Sequence, residues 1–477
     1  MSFRACCLFV PLFATLLAAQ PTLAEIYADF TTSHGSFTVE LDALRAPRAV
    51  ANFIGLVDGT RTWRDPTTGA VRGGAAGDGF YAGMRFYATA GTVALLGGFR
   101  PYAGSDGNEY WDGPGYTILD EATNGVALAR GVLAAPIFDG PHSGGGELAL
   151  MLTSIPPGNG WTAFGAVTGA GMAVVDAVAN DVTNGSGRVA AQIAIRTAGV
   201  TPEETAALDA VRGELPTIEA MPLGFASASN ATCSLAFWSV PNSQACLATA
   251  SNLPANQWSV LPGDWNTGTN AVSKSVPLAA IPGMTNANGN LRPRGFLYGS
   301  QAHYPKMTAG LLSGKQHLAM AHTGTNYQYW LDFAGGTGIW GNVVSNMPVP
   351  RGNIDWVGQE MGTANSLHLV LFIGSTAYHY WLGFDEAEAM AGRFYCEFYY
   401  LNVELRGTDN GTFEWTEGWP SQSLATQGKP VRQVLDHGIS ESMSSMEAGN
   451  TLRRRPQGGL RSRRGIDSSM DWKTGCP

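Results

Sequence analysis

FYAGMRFYATAGTVALLGG, residues 80–98, decides how the first half of this chain is read. An apolar strand follows Phe80-Tyr81-Ala82-Gly83, carries Phe86-Tyr87-Ala88, and runs through Val93-Ala94-Leu95-Leu96 into Gly97-Gly98. Working outward, GSFTVELDALRAPRAVANFIGLVDG (35–59) reads as a strand and then a helix entered through Ala46-Pro47, where proline suits the first turn. Ile26-Tyr27-Ala28-Asp29-Phe30 and Phe37-Thr38-Val39-Glu40-Leu41 alternate as half-buried strands do. Further on come GPGYTILDE (113–121), GVLA (131–134), WTAFG (161–165) and GMAVVD (171–176).

Taken in order, these segments resemble the cyclophilin family of peptidyl-prolyl cis-trans isomerases. The central frame resembles that family's Phe-His-Arg strand leading into Gln-Gly-Gly, and GPGYTILDE its bacterial G-Y-x-x-x-D-E segment. WTAFG resembles x-V-V-F-G, and GMAVVD the G-M-x-V-V-D helix start. The resemblance implies a mainly β chain. It also implies a cyclophilin-like closed β-barrel with capping helices over residues 25–200. The surface insertion 60–78 precedes the strand of the catalytic position.

Composition bounds the rest. With 477 residues the chain is long for one domain. Net charge is −9 and only 14% of residues are charged, which excludes a broad nucleic-acid or anionic-membrane surface. Sixty-one glycines, 26 prolines and 10% aromatics favour strands and turns over long helices. Residues 1–24 read as a signal peptide, with Arg4, an apolar stretch Leu8–Ala19 and a small-residue site Thr22-Leu23-Ala24. The apolar run is too short and too interrupted by proline to span a bilayer, so a periplasmic or secreted protein with no integral membrane segment after cleavage is expected. The remaining cysteines, Cys233, Cys246, Cys396 and Cys476, permit two disulfides, with Cys233–Cys246 the expected pair.

Thr201-Pro202-Glu203-Glu204 is a helix start, placing a helical linker over 201–222. From 223 to 420 the composition shifts to Trp, Tyr, Asn and Gly, and an internal duplication appears. Gln316–Phe333 resembles Leu367–Phe384 at an offset of 51, each copy two strands around a Gly/Thr turn. A second β-rich sandwich or barrel, with a ligand the sequence does not name, is the expectation. Within it, the two tyrosines of each Tyr-x-Tyr-Trp cluster share one strand face and the tryptophan takes the other. His317 and His368 occupy equivalent positions of the copies, which fits a shared structural role rather than a metal site. Residues 421–477, locally basic at Arg453-Arg454-Arg455, read as a disordered tail.

Rotation about an X-Pro bond faces a barrier of about 18–20 kcal/mol and needs no nucleophile, metal or cofactor. It needs an apolar seat for the proline ring and a cationic donor near the proline nitrogen, which regains its lone pair only in the twisted state. The resemblance places that arginine at Ala88 and a second vacated family position at Leu96. It places the peptide-binding pocket at Phe86, Val93, Ala94, Glu147, Ala149 and Trp161. Arg85, three residues before Ala88, falls on the opposite face of a regular strand. Two readings follow. One is an exported isomerase acting on X-Pro bonds of a proline-containing peptide or client, weakened or silenced by Ala88. The other is a non-catalytic peptide- or protein-binding module joined to a recognition or adhesion domain.

Overall fold

The computed structural model describes residues 26–103, 109–138, 140–155, 160–185, 187–197, 199–221, 223–228, 232–238, 243–250, 259–260, 271–278, 296–304, 315–322, 325–344, 347–361, 366–386 and 390–417. Residues 1–24, expected to be a signal peptide, residues 421–477, expected to be a disordered tail, and Cys476 lie outside them.

Eight strands form a closed barrel: β1 (Ile26–Thr32), β2 (Gly35–Leu41), β3 (Arg85–Ala90), β4 (Ala94–Gly97), β5 (Val132–Ala135), β6 (Leu148–Met151), β7 (Thr162–Val167) and β8 (Val189–Thr197). Their order around the barrel is β1-β8-β3-β4-β6-β5-β7-β2. Alternation along β1 and β2 sends Ile26, Ala28, Phe30, Phe37, Val39 and Leu41 inward. There Phe30 stacks on Phe37 at 4.7 Å and neighbours Phe53 and Phe86. Helix α1 (Pro47–Asp58) supplies Phe53 and Leu56 to this core and ends at Gly59, whose φ of 82° only glycine adopts freely. Helix α2 (Met172–Asn184) packs against β2, β3 and β8. Helix α3 (Pro202–Arg212) begins with a capping box, Thr201 and Glu204 each satisfying the other's backbone, and packs on α1. No helix among the described residues is long and apolar enough to cross a membrane.

One irregularity sets up the site. The register of β3 on β4 shifts between Phe86 and Ala88, so Tyr87 is a bulged residue. Period-two alternation is broken there: Phe86 points into the barrel core while Ala88 packs on the outside. Arg85, alternate to the inward Phe86, therefore shares the outer face with Ala88, which corrects the expectation that it would not.

The second half is also β. Strands β9 (Thr217–Met221), β10 (Leu223–Ala228), β11 (Thr232–Trp238), β12 (Ser243–Ala250), β13 (Ser259–Val260), β14 (Ala271–Pro277) and β15 (Phe296–His303) form two sheets, β9-β15-β12-β13 and β10-β11-β14. They meet through Met221, Cys233, Leu235, Phe237, Leu247 and Val276. No disulfide joins Cys233 to Cys246, which corrects that expectation. Ala245 and Leu247 face Cys233 across this core, and alternation along β12 turns the intervening Cys246 to the opposite side.

The largest sheet has nine strands: β16 (Lys315–His322), β17 (Thr325–Asp332), β18 (Thr337–Val344), β19 (Met347–Ile354), β20 (Trp356–Met361), β21 (Ser366–Ile373), β22 (Thr376–Glu386), β23 (Ala391–Tyr400) and β24 (Glu404–Glu417). Its order is β19-β18-β17-β16-β24-β23-β22-β21-β20. The sheet curls until its two edges approach, Val357 N–H donating to the Gly336 carbonyl at 2.9 Å. The duplicated hairpins are β16–β17 and β21–β22, and their equivalent tyrosines meet in the interior, Tyr329 Oη to Tyr380 Oη at 2.8 Å. On the outer face Trp330 and Trp381 stack over His317 and His368.

The two halves share packing. Ile218, Ala302 and Tyr304 belong to the barrel's own core cluster. Arg64 Nε donates to Ser300 Oγ at 2.9 Å, and Ile218 N–H to Thr62 Oγ1 at 2.8 Å.

Candidate functional site: an apolar groove on the barrel wall

Where the barrel interior takes Leu95, Leu133, Leu148, Leu150 and Phe164, the residues between them face out. These outward residues form a second apolar cluster: Ala94, Leu96, Val132, Ala134, Ala149, Met151 and Ala163. Around them pack Tyr87, Ala88, Val93, Phe138 and Trp161. Strand pairing brings the parts together, Ala88 opposite Leu96 and Leu96 opposite Ala149. Ala94, Ala134, Ala149 and Ala163 are buried and pack beneath the partly buried Ala88, Val93 and Trp161. Phe138 and Trp161 stand as its aromatic wall, edge to face at 5.6 Å.

Of the sequence-predicted positions, Ala88, Val93, Ala94, Leu96, Ala149 and Trp161 come together in this cluster. Glu147 joins at its margin, buried and accepting the hydroxyl of Tyr87, whose ring stacks on Phe99. Phe86 does not join, because the bulge at Tyr87 turns it into the barrel core. Leu96 and Ala94 are fully buried, so they form the floor rather than reach a ligand.

Neither nearby arginine supplies the missing charge at Ala88. Arg130 is held bidentately by Asp176 at 2.7 and 2.9 Å and also donates to the Leu152 carbonyl. Arg85 shares the outer face but lies three residues away, about 10 Å along the strand. The arrangement can therefore seat an apolar ring against Ala88, Val93 and Trp161. Among the described residues, neither Arg85 nor Arg130 places a cation at Ala88.

Gly97-Gly98, the end of the deciding motif, serves packing. Gly98 has φ +98°, and a side chain there would sit 2.3 Å from the Gly146 carbonyl oxygen. Gly97 leaves room for the Phe86 ring.

The Asp-Glu of GPGYTILDE ties the wall to the rest of the fold. The Glu121 carboxylate accepts the Arg48 and Ala49 N–H groups at the start of α1, and its own N–H donates to Thr162 Oγ1 at 2.7 Å, next to Trp161. Burial pushes the Glu121 carboxyl above its ordinary range, against those hydrogen bonds. Asp120 is 3% exposed and meets His142, Arg393 and, through them, Asp385. Burial alone would raise the Asp120 carboxyl, but the His142 hydrogen bond and the His142 and Arg393 charges hold it well below the usual range. Sequence reasoning missed Phe138, His142, Asp385 and Arg393. Asp385 and Arg393 lie over 260 residues from Asp120 in sequence, so no local spacing reveals them.

The family model for cyclophilin type peptidyl-prolyl cis-trans isomerase/CLD matches residues 27–200. Peptidyl-prolyl cis-trans isomerase B of Streptomyces anulatus is 32% identical over 162 residues, which cover 34% of this chain and 87% of that protein. The probable peptidyl-prolyl cis-trans isomerase A of Mycobacterium bovis is 31% identical over 168 residues, covering 35% and 87%. A cyclophilin type peptidyl-prolyl cis-trans isomerase structure from Cryptosporidium parvum aligns with a TM-score of 0.27 and 16% identity, over 37% of this chain and 99% of that one.

Proposed function

We propose, for a chain that belongs through residues 27–200 to the cyclophilin-type peptidyl-prolyl cis-trans isomerase family, that its outer groove binds extended X-Pro polypeptide and isomerises it slowly. The observation that carries this is the assembly of the partly buried Ala88, Val93, Phe138 and Trp161 over a buried floor that includes Ala149, with alanine at position 88. Seating the proline ring between Val93 and Trp161 buries apolar surface and excludes water from the amide. Transition-state stabilisation is then left to desolvation and to backbone donors. Loss of one preorganised donor costs about 10²–10³ in rate.

Export to the periplasm or medium is part of the proposal, on the charged start, short apolar stretch and small-residue site of residues 1–24. The second reading, peptide binding without turnover, is favoured by the same Ala88.

The test is an NMR-exchange assay of the full mature chain on an Ala-Pro peptide. Peptide-induced shifts with exchange about 10²–10³ below that of an arginine-bearing relative support the proposal. Shifts with no acceleration leave binding alone, and the absence of shifts overturns both.

A further inference from the structure

The loop after β5 carries Phe138 and then folds back through Gly140-Pro141-His142-Ser143 against the outer face of the nine-stranded sheet. Glycine stands on both sides of this contact. A side chain at Gly140 would lie 2.5 Å from Trp381 Cβ, and one at Gly383 would lie 2.4 Å from Pro141 Cβ. His142, 1% exposed, holds a left-handed backbone at φ 62°, unusual for a residue with a Cβ. Its N–H donates to Asp120 Oδ2 at 2.8 Å, its Nδ1 accepts the Asp120 N–H at 3.1 Å and lies 3.2 Å from Asp120 Oδ2, and its Nε2 lies 3.2 Å from Asp385 Oδ1. That Nε2 approach is an ion contact rather than an aligned hydrogen bond. Arg393 bridges the two carboxylates, binding Asp385 at 2.8 and 2.9 Å and Asp120 through Nη2.

We propose that Asp385 and Arg393, from the second half of the chain, are positioning residues for the groove: with Asp120 and His142 they close a charge cluster, buried at Asp120 and His142 and open to solvent at Asp385, that fixes the loop bearing Phe138. The inference rests on the peptide-groove reading above. The Asp120 N–H donated to Nδ1 favours the neutral ring, while two carboxylates, a guanidinium and an imidazolium sum to zero, so charge balance favours a protonated His142. Burial disfavours that charge, but Asp120 and Asp385 outweigh it and raise the His142 pKa. The charged groups facing His142 are Asp120 from the segment 113–121 and Asp385 from β22, both paired in turn with Arg393 of β23. Buried ion clusters fix geometry more reliably than they add stability, and removing one member leaves the others uncompensated. The link to the groove is short: Asp120 adjoins Glu121, Glu121 binds Thr162, and Trp161 beside it meets Phe138.

The test compares the full mature chain with Arg393→Gln, Arg393→Lys and the near-isosteric Asp385→Asn. Hydrogen exchange over 137–146 is read first, then affinity for the Ala-Pro peptide between pH 5 and 8.5. Arg393→Gln and Asp385→Asn are expected to lower protection of 137–146 and peptide affinity about ten-fold each, with Arg393→Lys between them and wild type. Wild-type affinity is expected to fall as pH rises through the His142 titration, and Arg393→Gln to displace that fall. Unchanged protection in both Asp385→Asn and Arg393→Gln overturns the proposal. A wild-type chain that binds no peptide refutes the groove reading instead, and the exchange data still decide whether the cluster holds the loop.

Discussion

Restoring the missing cation is the sharpest perturbation of this site. Ala88 lies on the outer face of β3, opposite Leu96, which is itself opposite Ala149. An arginine at 88 therefore projects over the floor formed by Leu96 and Ala149. The Glu147 carboxylate accepts the hydroxyl of Tyr87, the residue before position 88, and so competes for a long cationic side chain there. In Ala88→Arg the guanidinium has two destinations, the proline nitrogen or the buried Glu147 carboxylate. A charge-assisted pair is worth about twice a neutral hydrogen bond, so the single variant is expected to be partly captured, gaining about ten-fold in exchange rate. Adding Glu147→Gln removes the competing charge, and the double variant is expected to recover most of the 10²–10³ that one donor is worth. The assay is NMR exchange on an Ala-Pro peptide, with affinity measured in parallel to separate turnover from binding. If the double variant binds peptide as well as wild type yet gains nothing, the groove does not present the amide to position 88.

Other outcomes follow from the same geometry. Truncating Trp161→Ala opens the groove wall and is expected to cost about 2–3 kcal/mol in urea unfolding, less than a fully buried tryptophan, together with most peptide affinity. The interior hydroxyl pair predicts strong coupling: Tyr329→Phe or Tyr380→Phe alone strands a buried hydroxyl and costs about 1–3 kcal/mol, while the double variant costs less than the sum. For pH, His142 is raised in the folded state, so its contribution is whole below the unfolded value of about 6.5 and fades as pH rises through the folded value. Asp120 and Asp385 are lowered, so theirs is present above about pH 4 and fades as pH falls through their folded values. Exchange protection at the junction of the halves should therefore peak between about pH 4 and 6.5. Reduction should leave the melting temperature of the Cys476→Ser chain unchanged, since Cys233 and Cys246 are not joined.

Much of the barrel was legible because its signal is local. Alternation in β1 and β2, the proline entry of α1 and the paired glycines each reflect a steric rule acting over a few residues. The groove was half legible. Ala88, Ala94, Leu96, Ala149 and Trp161 converge, but parity failed at Phe86 because a bulge inserts one residue and leaves no compositional mark at Tyr87. The duplication was visible as a 51-residue offset, and the structure shows its reason in the Tyr329–Tyr380 pair. The Asp120–His142–Asp385–Arg393 cluster was not legible at all. Each member looks like an ordinary surface charge until the fold brings them together.

That cluster bears on what the second half is for. A recognition module attached by a flexible linker leaves the barrel's charges solvated and its core closed on itself. Here Ile218, Ala302 and Tyr304 enter the barrel core, and Arg393 neutralises Asp120, which is 3% exposed. Without Arg393, Asp120 and Asp385 share one buried site with His142 alone, and burial then opposes the charge on all three. Separating the barrel from the sheet is therefore expected to expose an unbalanced acidic pair and release the loop carrying Phe138. An isolated 25–200 fragment should show lower protection over 137–146 than the same residues in the full chain. Equal protection would mean that the barrel holds its groove unaided and that the sheet serves another task.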